Sequence, residues 1–229
     1  MRAPSYEEVL LSSPDQLSTQ DIYPTYAKYL KDEARATRIR ALSPRMIPGL
    51  LQRPDFAAAI NQLPELASRF SGLPGAVNLR MGRQRKLERT DAQQEYFIGI
   101  DGITRCRDRL MNARKGPIVE AQFDALLNLM EAENQNPDEA RVKVRLLENE
   151  SALPLDPAII LNTTTPEGTP TTTVYTESHW GISSPYYTDV ETVGQIVADF
   201  ESVTQSYNPE QRLGALSLQQ SMERLEILG

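Results

Sequence analysis

The stretch from Leu30 to Ile60, LKDEARATRIRALSPRMIPGLLQRPDFAAAI, most constrains what this chain can fold into. Its first half places Tyr26, Leu30, Ala34, Thr37 and Ala41 at the three-to-four-residue spacing of one helix face, which predicts a helix from Tyr26 to Leu42. Glu33 and Arg40 fall on that same apolar face, two turns apart, whereas Lys31, Arg35 and Arg38 lie outside it. An acid and a guanidinium inside an apolar stripe need partners or a ligand. They are therefore read either as a structural ion pair or as the lining of a polar pocket for a small molecule or a partner protein's tail. Ser43-Pro44 stops the predicted helix, Pro48-Gly49 reverses the chain, and Pro54 opens a second helix through Ile60.

Around this helix–elbow–helix the chain divides into an arm, residues 1–25, and one α+β domain, residues 26–229, with a helical subregion at 26–92 and a sheet-containing subregion at 93–229. Residues 63–75 carry Pro64, Gly72, Pro74 and Gly75 and read as a linker or interrupted helix. Arg80, Arg83, Arg85, Lys86 and Arg89 then crowd one helix. This is either a phosphate-binding run or a solvated face that pairs with acidic groups elsewhere. YFIGI at 96–100 and RVKVRLL at 141–147 read as strands, the second with Val142, Val144 and Leu146 inward. A helix opened by Pro117, carrying Val119, Phe123, Leu126 and Met130 on one face, lies between them, so the two strands should be parallel. The type of the intervening ITRCRDRL is left open.

PAIILNTTT at 157–165 and TTTVYTES at 171–178 form a predicted hairpin. Thr188 and Glu191 have capping-box spacing for a helix to Tyr207, and Asn208, Pro209 and Gln211 read as the start of a last helix. The expected fold is α+β: a helical N-terminal half followed by a small mixed four-stranded sheet covered by three helices.

Charge excludes some functions. Residues 151–229 hold two basic side chains against ten acidic ones, a surface that repels phosphate backbones and attracts a basic partner. No run of about 18 apolar residues and no signal-peptide pattern occurs, and the single cysteine, Cys106, fits a reducing compartment; a cytoplasmic location without membrane contact is expected. One histidine and one cysteine make zinc improbable, and no P-loop or G-x-G-x-x-G is present, so neither a metal nor a cofactor is expected. A serine hydrolase would lack its G-x-S-x-G elbow. Nothing local makes a nucleophilic pair of Cys106 and His179, although Arg105, Arg107 and Arg109 would activate an exposed thiol. The densest aromatic and polar cluster is YTESHWGISSPYY, where Tyr175, Glu177, His179, Trp180 and Tyr187 follow the last predicted strand. Such a corner either binds or caps the core edge.

EARATRIRALSPRMIPGLLQRPDFAAAI resembles the signature of the region that follows the helix-turn-helix in WhiJ-like regulators of actinomycetes. Glu33, Ala34, Ile39, Arg40, Pro44, Pro48, Gly49, Leu50, Leu51, Gln52 and Pro54 carry the match. A later R-x-x-R-Q run, here Arg80, Arg83, Gln84, Leu87 and Arg89, and a V-Y-x-E strand end, here Val174, Tyr175 and Glu177, extend it to roughly residues 27–228. The family's acidic D-E-A-A-L reads Asp101, Gly102, Ile103 here, and ENESALPLDP replaces a glycine-rich loop. The resemblance implies a regulatory or antitoxin-like domain that binds a small protein partner or a metabolite. No helix-turn-helix accompanies it, so direct nucleic-acid binding does not carry over. Glu33, Thr37, Arg40, Gln52, Tyr175, Glu177, His179, Trp180 and Tyr187 are the candidate ligand- or partner-binding residues, and an oligomer is possible. The alternative is an enzyme of natural-product biosynthesis that has turned the sensing pocket to acid–base chemistry through Glu177, His179 or Tyr175.

Overall fold

A computed structural model describes residues 24–63, 76–88, 90–148, 157–176, 185–205 and 214–229. Its centre is a mixed sheet of seven strands in the order β6-β5-β4-β1-β2-β3-β7. The strands are β1 (Arg38–Ser43), β2 (Gln93–Gly99), β3 (Val142–Glu148), β4 (Ala158–Thr164), β5 (Pro170–Thr176), β6 (Tyr186–Tyr187) and β7 (Gly214–Ala215). The α+β class expected from the sequence holds, but the four-stranded sheet does not. β6 and β7 are two-residue edge pairings too short to leave a periodic signal. β1 was hidden inside the predicted first helix.

That helix, α1, covers only Pro24–Glu33. The chain then turns and enters β1, which pairs in parallel with β2 (Arg38↔Gln93 to Ser43↔Ile98) and antiparallel with β4 (Arg38↔Asn162). Both edges of β1 are thus hydrogen-bonded, and that outweighs the helical spacing of Leu30, Ala34, Thr37 and Ala41. Ile39 and Ala41 alternate with Arg38 and Arg40 at the two-residue period of a strand. The N-terminal half is consequently not helical throughout: it supplies the middle of the sheet.

The other strand readings are confirmed. β2 and β3 are parallel neighbours with Val144 and Leu146 fully buried, and β4–β5 is an antiparallel hairpin. ITRCRDRL lies in α4 (Ile100–Asn112), which begins directly at the end of β2 and precedes α5 (Gly116–Gln135). Pro54 and Pro117 occupy the first turns of α2 (Pro54–Asn61) and α5, as expected from proline's fixed φ and missing N–H. Pro48-Gly49 leads into a single 3-10 turn at Gly49–Leu51.

One sheet face is covered by α2, α4, α5 and α7 (Leu218–Leu228), packing Phe56, Ile103, Phe123 and Leu225 on Tyr96, Ile98, Val144 and Leu146. α1 and α3 (Ala76–Leu87) extend that layer over Ile39, Leu161 and Tyr175. The opposite face carries α6 (Val190–Thr204), whose Val193, Phe200 and Val203 meet Leu42, Leu147, Ile160 and Val174. The cap of α6 is Asp189, one residue beyond the expected Thr188, with its carboxylate accepting from the Thr192 N–H at 2.8 Å. α7 begins at a Ser217/Gln220 capping box. Asn208, Pro209 and Gln211, expected to start that helix, lie outside the described residues. Ser217→Ala removes one half of the box and should lower stability by about 1 kcal/mol, read from the urea midpoint.

Candidate functional site

Ending α1 at Glu33 and starting β1 at Arg38 separates the two residues expected to face each other. Glu33 is buried beneath α3. Arg40 points to the sheet face covered by α6, where it donates to Glu201 at 3.1 Å and lies over the Phe200 ring at 5.5 Å. The Glu33–Arg40 pocket therefore does not exist. Because Glu201 is 59% exposed, its pairing with Arg40 is worth at most about 1 kcal/mol. Glu201→Gln should shift the melting temperature only slightly. Thr37 is a ladder residue at the mouth of β1: its N–H donates to the Asn162 carbonyl at 2.8 Å, and its own carbonyl accepts from Gln93.

The partner of Glu33 comes from α3, fifty residues away. Arg83 grips the carboxylate bidentately, with Nε to Oε1 at 2.8 Å, while the Tyr29 hydroxyl donates to Oε2. The second Arg83 nitrogen also reaches the Tyr29 oxygen at 2.6 Å, and Tyr26 lies within 3.4 Å of the other. Tyr29 stacks on Tyr175 with ring centroids 4.3 Å apart, and Tyr26 completes a triangle of rings at 5.7 Å from Tyr29 and 6.0 Å from Tyr175. One turn back on α3, Arg80 donates to the Gln52 oxygen at 2.7 Å. The Gln52 amide nitrogen in turn holds the Ile47 carbonyl at 2.6 Å. Gln84 donates to the carbonyls of Gly49 and Gln52, and Gln122 of α5 holds Leu51 and Arg53 from the other side. The elbow has few backbone hydrogen bonds of its own, so side-chain amides complete its ladder.

Burial sets the protonation states here. Desolvation pushes the Tyr29 phenol well above its ordinary value, with the Glu33 charge adding to the effect and Arg83 opposing it. Desolvation likewise raises Tyr96. For Arg83, burial alone would favour the neutral form, but the Glu33 carboxylate overrides it and holds the guanidinium charged. Phenols with raised folded pKa values contribute stability that is complete below the unfolded tyrosine pKa of about 10 and is lost as pH rises beyond it. Phenolate absorbance from Tyr29 and Tyr96 should therefore appear only together with loss of the circular dichroism signal.

The residues brought together are the three motif segments of the sequence: Glu33 with the Pro48–Gln52 elbow, the Arg80–Arg83–Gln84 run, and Tyr175. A family model described as a domain of unknown function, DUF5753, matches residues 26–216. The chain belongs to this family. No curated protein and no solved structure matches it significantly. In this DUF5753 domain two members of the basic run hold partners on the facing elements, Arg83 an acidic one, as the paired-face reading expects, and Arg80 an amide.

Of the remaining candidates, Glu177, His179 and Trp180 lie outside the described residues. Tyr175 is packed beneath Tyr29, and Tyr187 is half-buried opposite Val174 in β6. A second polar knot, missed in the sequence, anchors that corner: the Tyr186 hydroxyl donates to Asp32, which also holds Arg35, and lies 2.9 Å from Thr173. The only available signal was the bare adjacency of tyrosines. Among the described residues no group of three His, Cys, Asp or Glu side chains is placed to hold a metal, and no helix is long and apolar enough to cross a membrane.

Cys106 is buried against the elbow. Desolvation raises its thiol pKa despite Arg109 and Arg105, so the flanking arginines do not activate it. It should resist a disulfide reagent until denaturant is added, and then react once per chain.

Between the elbow, α3, the end of α5 and the starts of β2 and β3 runs an open groove of about 330 Å³. Gln52 and Gln84 form part of its wall. A second cleft of about 500 Å³ lies where Phe97, Lys143 and Arg145 approach Thr204 and Ser217.

Proposed function

We propose that this DUF5753 domain is a binding module, the effector part of a regulatory or antitoxin-like system of the WhiJ-like kind, which takes up a small protein partner or a metabolite. One observation carries the reading: the motif residues spend their hydrogen bonds on one another and on the elbow backbone, and the elbow so fixed forms one wall of a small-molecule-sized groove. Acid–base catalysis asks for a group poised to exchange a proton with a substrate. Glu33, Arg83 and Tyr29 are instead buried and mutually satisfied, which suits a rigid frame for recognition.

The test combines two measurements on the purified chain. The first is co-elution in size-exclusion chromatography with small proteins encoded beside its gene. The second is a thermal-shift screen against cellular metabolites. A stoichiometric complex, or a saturable stabilisation by one metabolite, is the expected result. Turnover of a metabolite that is abolished by Glu177→Gln or His179→Ala would overturn it in favour of an enzyme.

A further inference from the structure

We propose that the groove under the elbow is a site for a small uncharged ligand in which a secondary amide joins two apolar chains. This rests on the binding-module reading and gives its ligand a chemical class. The argument is an account of donors and acceptors.

Leu51, Leu87, Leu129 and Val142 supply apolar walls, and Gln84 and Gln94 bring carboxamides to the same groove. A carboxamide has two N–H donors and an oxygen with two lone pairs. Gln84 uses both N–H groups on the Gly49 and Gln52 carbonyls, and among the described residues its oxygen has no donor. Gln94 is the mirror case. Its oxygen accepts from the Tyr96 hydroxyl at 2.7 Å, while its nitrogen has no acceptor among the described residues, although the residue is only 8% exposed.

Neither atom is sealed from solvent, so the groove offers a ligand one acceptor and one donor that no described protein group uses. A secondary amide offers both, N–H to Gln84 and C=O to Gln94, and its two flanking chains meet the leucine walls. A carboxylate would satisfy Gln94 but set its lone pairs against the Gln84 oxygen and its charge against Glu88, and an amine would leave the Gln94 N–H without an acceptor. The arginines at the rim already have partners: Arg53 pairs with Asp55, and Arg141 donates to the Thr90 carbonyl. Glu88 also stands at the rim, but it is exposed, so water screens its charge and the inner groove is left to the two carboxamides. The volume is at the small end for ligand sites, which run from about 300 Å³ upward.

The experiment compares N-butylhexanamide with butyl hexanoate, an ester of the same shape that lacks the N–H. Binding to the full chain is measured by calorimetry and by chemical-shift changes of the glutamine side-chain amides. The amide should bind at least about tenfold more tightly than the ester, the worth of one hydrogen bond of about 1.4 kcal/mol. Gln94→Leu should abolish that preference. Because this change also strips Tyr96 of its acceptor, a second variant, Leu129→Arg on the half-buried α5 wall, should abolish amide binding with the melting transition retained. Equal affinity for amide and ester, no binding of either, or undiminished amide binding by Leu129→Arg would overturn the assignment. If the amide fails while a protein partner or another metabolite still binds, the groove's ligand class falls and the binding-module reading stands. If the amide binds as expected while His179→Ala abolishes a turnover, the reverse holds.

Discussion

Arg83→Met is expected to destabilise the protein by about 3–5 kcal/mol, measured as a lowered urea midpoint at unchanged slope. Methionine keeps the apolar stem of the side chain packed, so the loss is chiefly electrostatic. The carboxylate of Glu33 has only 2% of its side-chain surface exposed, and without the guanidinium it keeps a single donor, the Tyr29 hydroxyl. An uncompensated charge in that position is far costlier than the intact pair is favourable. The double variant Glu33→Leu with Arg83→Met should therefore recover most of the loss, short only of what the Tyr29 hydroxyl forfeits. A loss under about 1 kcal/mol in the single variant would mean that α3 is not held on α1 by this pair.

The same comparison explains what the sequence disclosed and what it hid. The β4–β5 hairpin and the β2–α5–β3 unit were legible because their signals are local: alternation of β-branched residues, prolines in first turns, and a Pro-Glu-Gly-Thr-Pro turn; α4 between them carried no such signal. β1 was not legible, because Leu30, Ala34, Thr37 and Ala41 keep helical spacing across a break that only its neighbours enforce. The alternation of Arg38, Ile39, Arg40 and Ala41 was present in the sequence, but its force comes from β2 and β4 pairing on both sides. Residue types at the site were similarly visible and their pairing was not. Glu33 was recognised as a buried acid in need of a partner; the partner proved to be Arg83 on another helix, since contacts fifty residues apart leave no periodicity.

This pairing changes the meaning of the motifs. Read along the chain, the glutamate, the proline–glycine elbow and the R-x-x-R-Q run look like three patches of surface chemistry. Folded, Arg83 ties α3 to α1, Arg80 and Gln84 tie it to the elbow, and Gln122 ties the elbow to α5. The motifs thus specify a scaffold, and under the proposed binding role recognition would fall to the groove beside it, whose remaining walls come from residues outside the motifs such as Leu129, Gln94 and Val142. Ligand specificity could then vary without disturbing the frame.

Gly102→Ala should be the second most damaging single change, with a loss of about 2–3 kcal/mol in the melting transition. Gly102 lies in the first turn of α4, pressed against the segment that leaves β1. A methyl group there would stand 2.5 Å from the Arg45 carbonyl carbon and 2.6 Å from the Pro44 oxygen. Both are backbone atoms, tied through Ser43 and Met46 into the elbow, so they cannot rotate aside. A longer side chain meets the same backbone, so Gly102→Glu should unfold the domain. Gly194, inside α6 with nothing within 4 Å of its would-be methyl, is the matched control. Replacing it with alanine removes only glycine's helix penalty and should stabilise the protein by about 0.5–1 kcal/mol. Opposite signs for the two glycine-to-alanine changes would locate the cost at the α4–elbow contact, whereas equal effects would show that the elbow can yield.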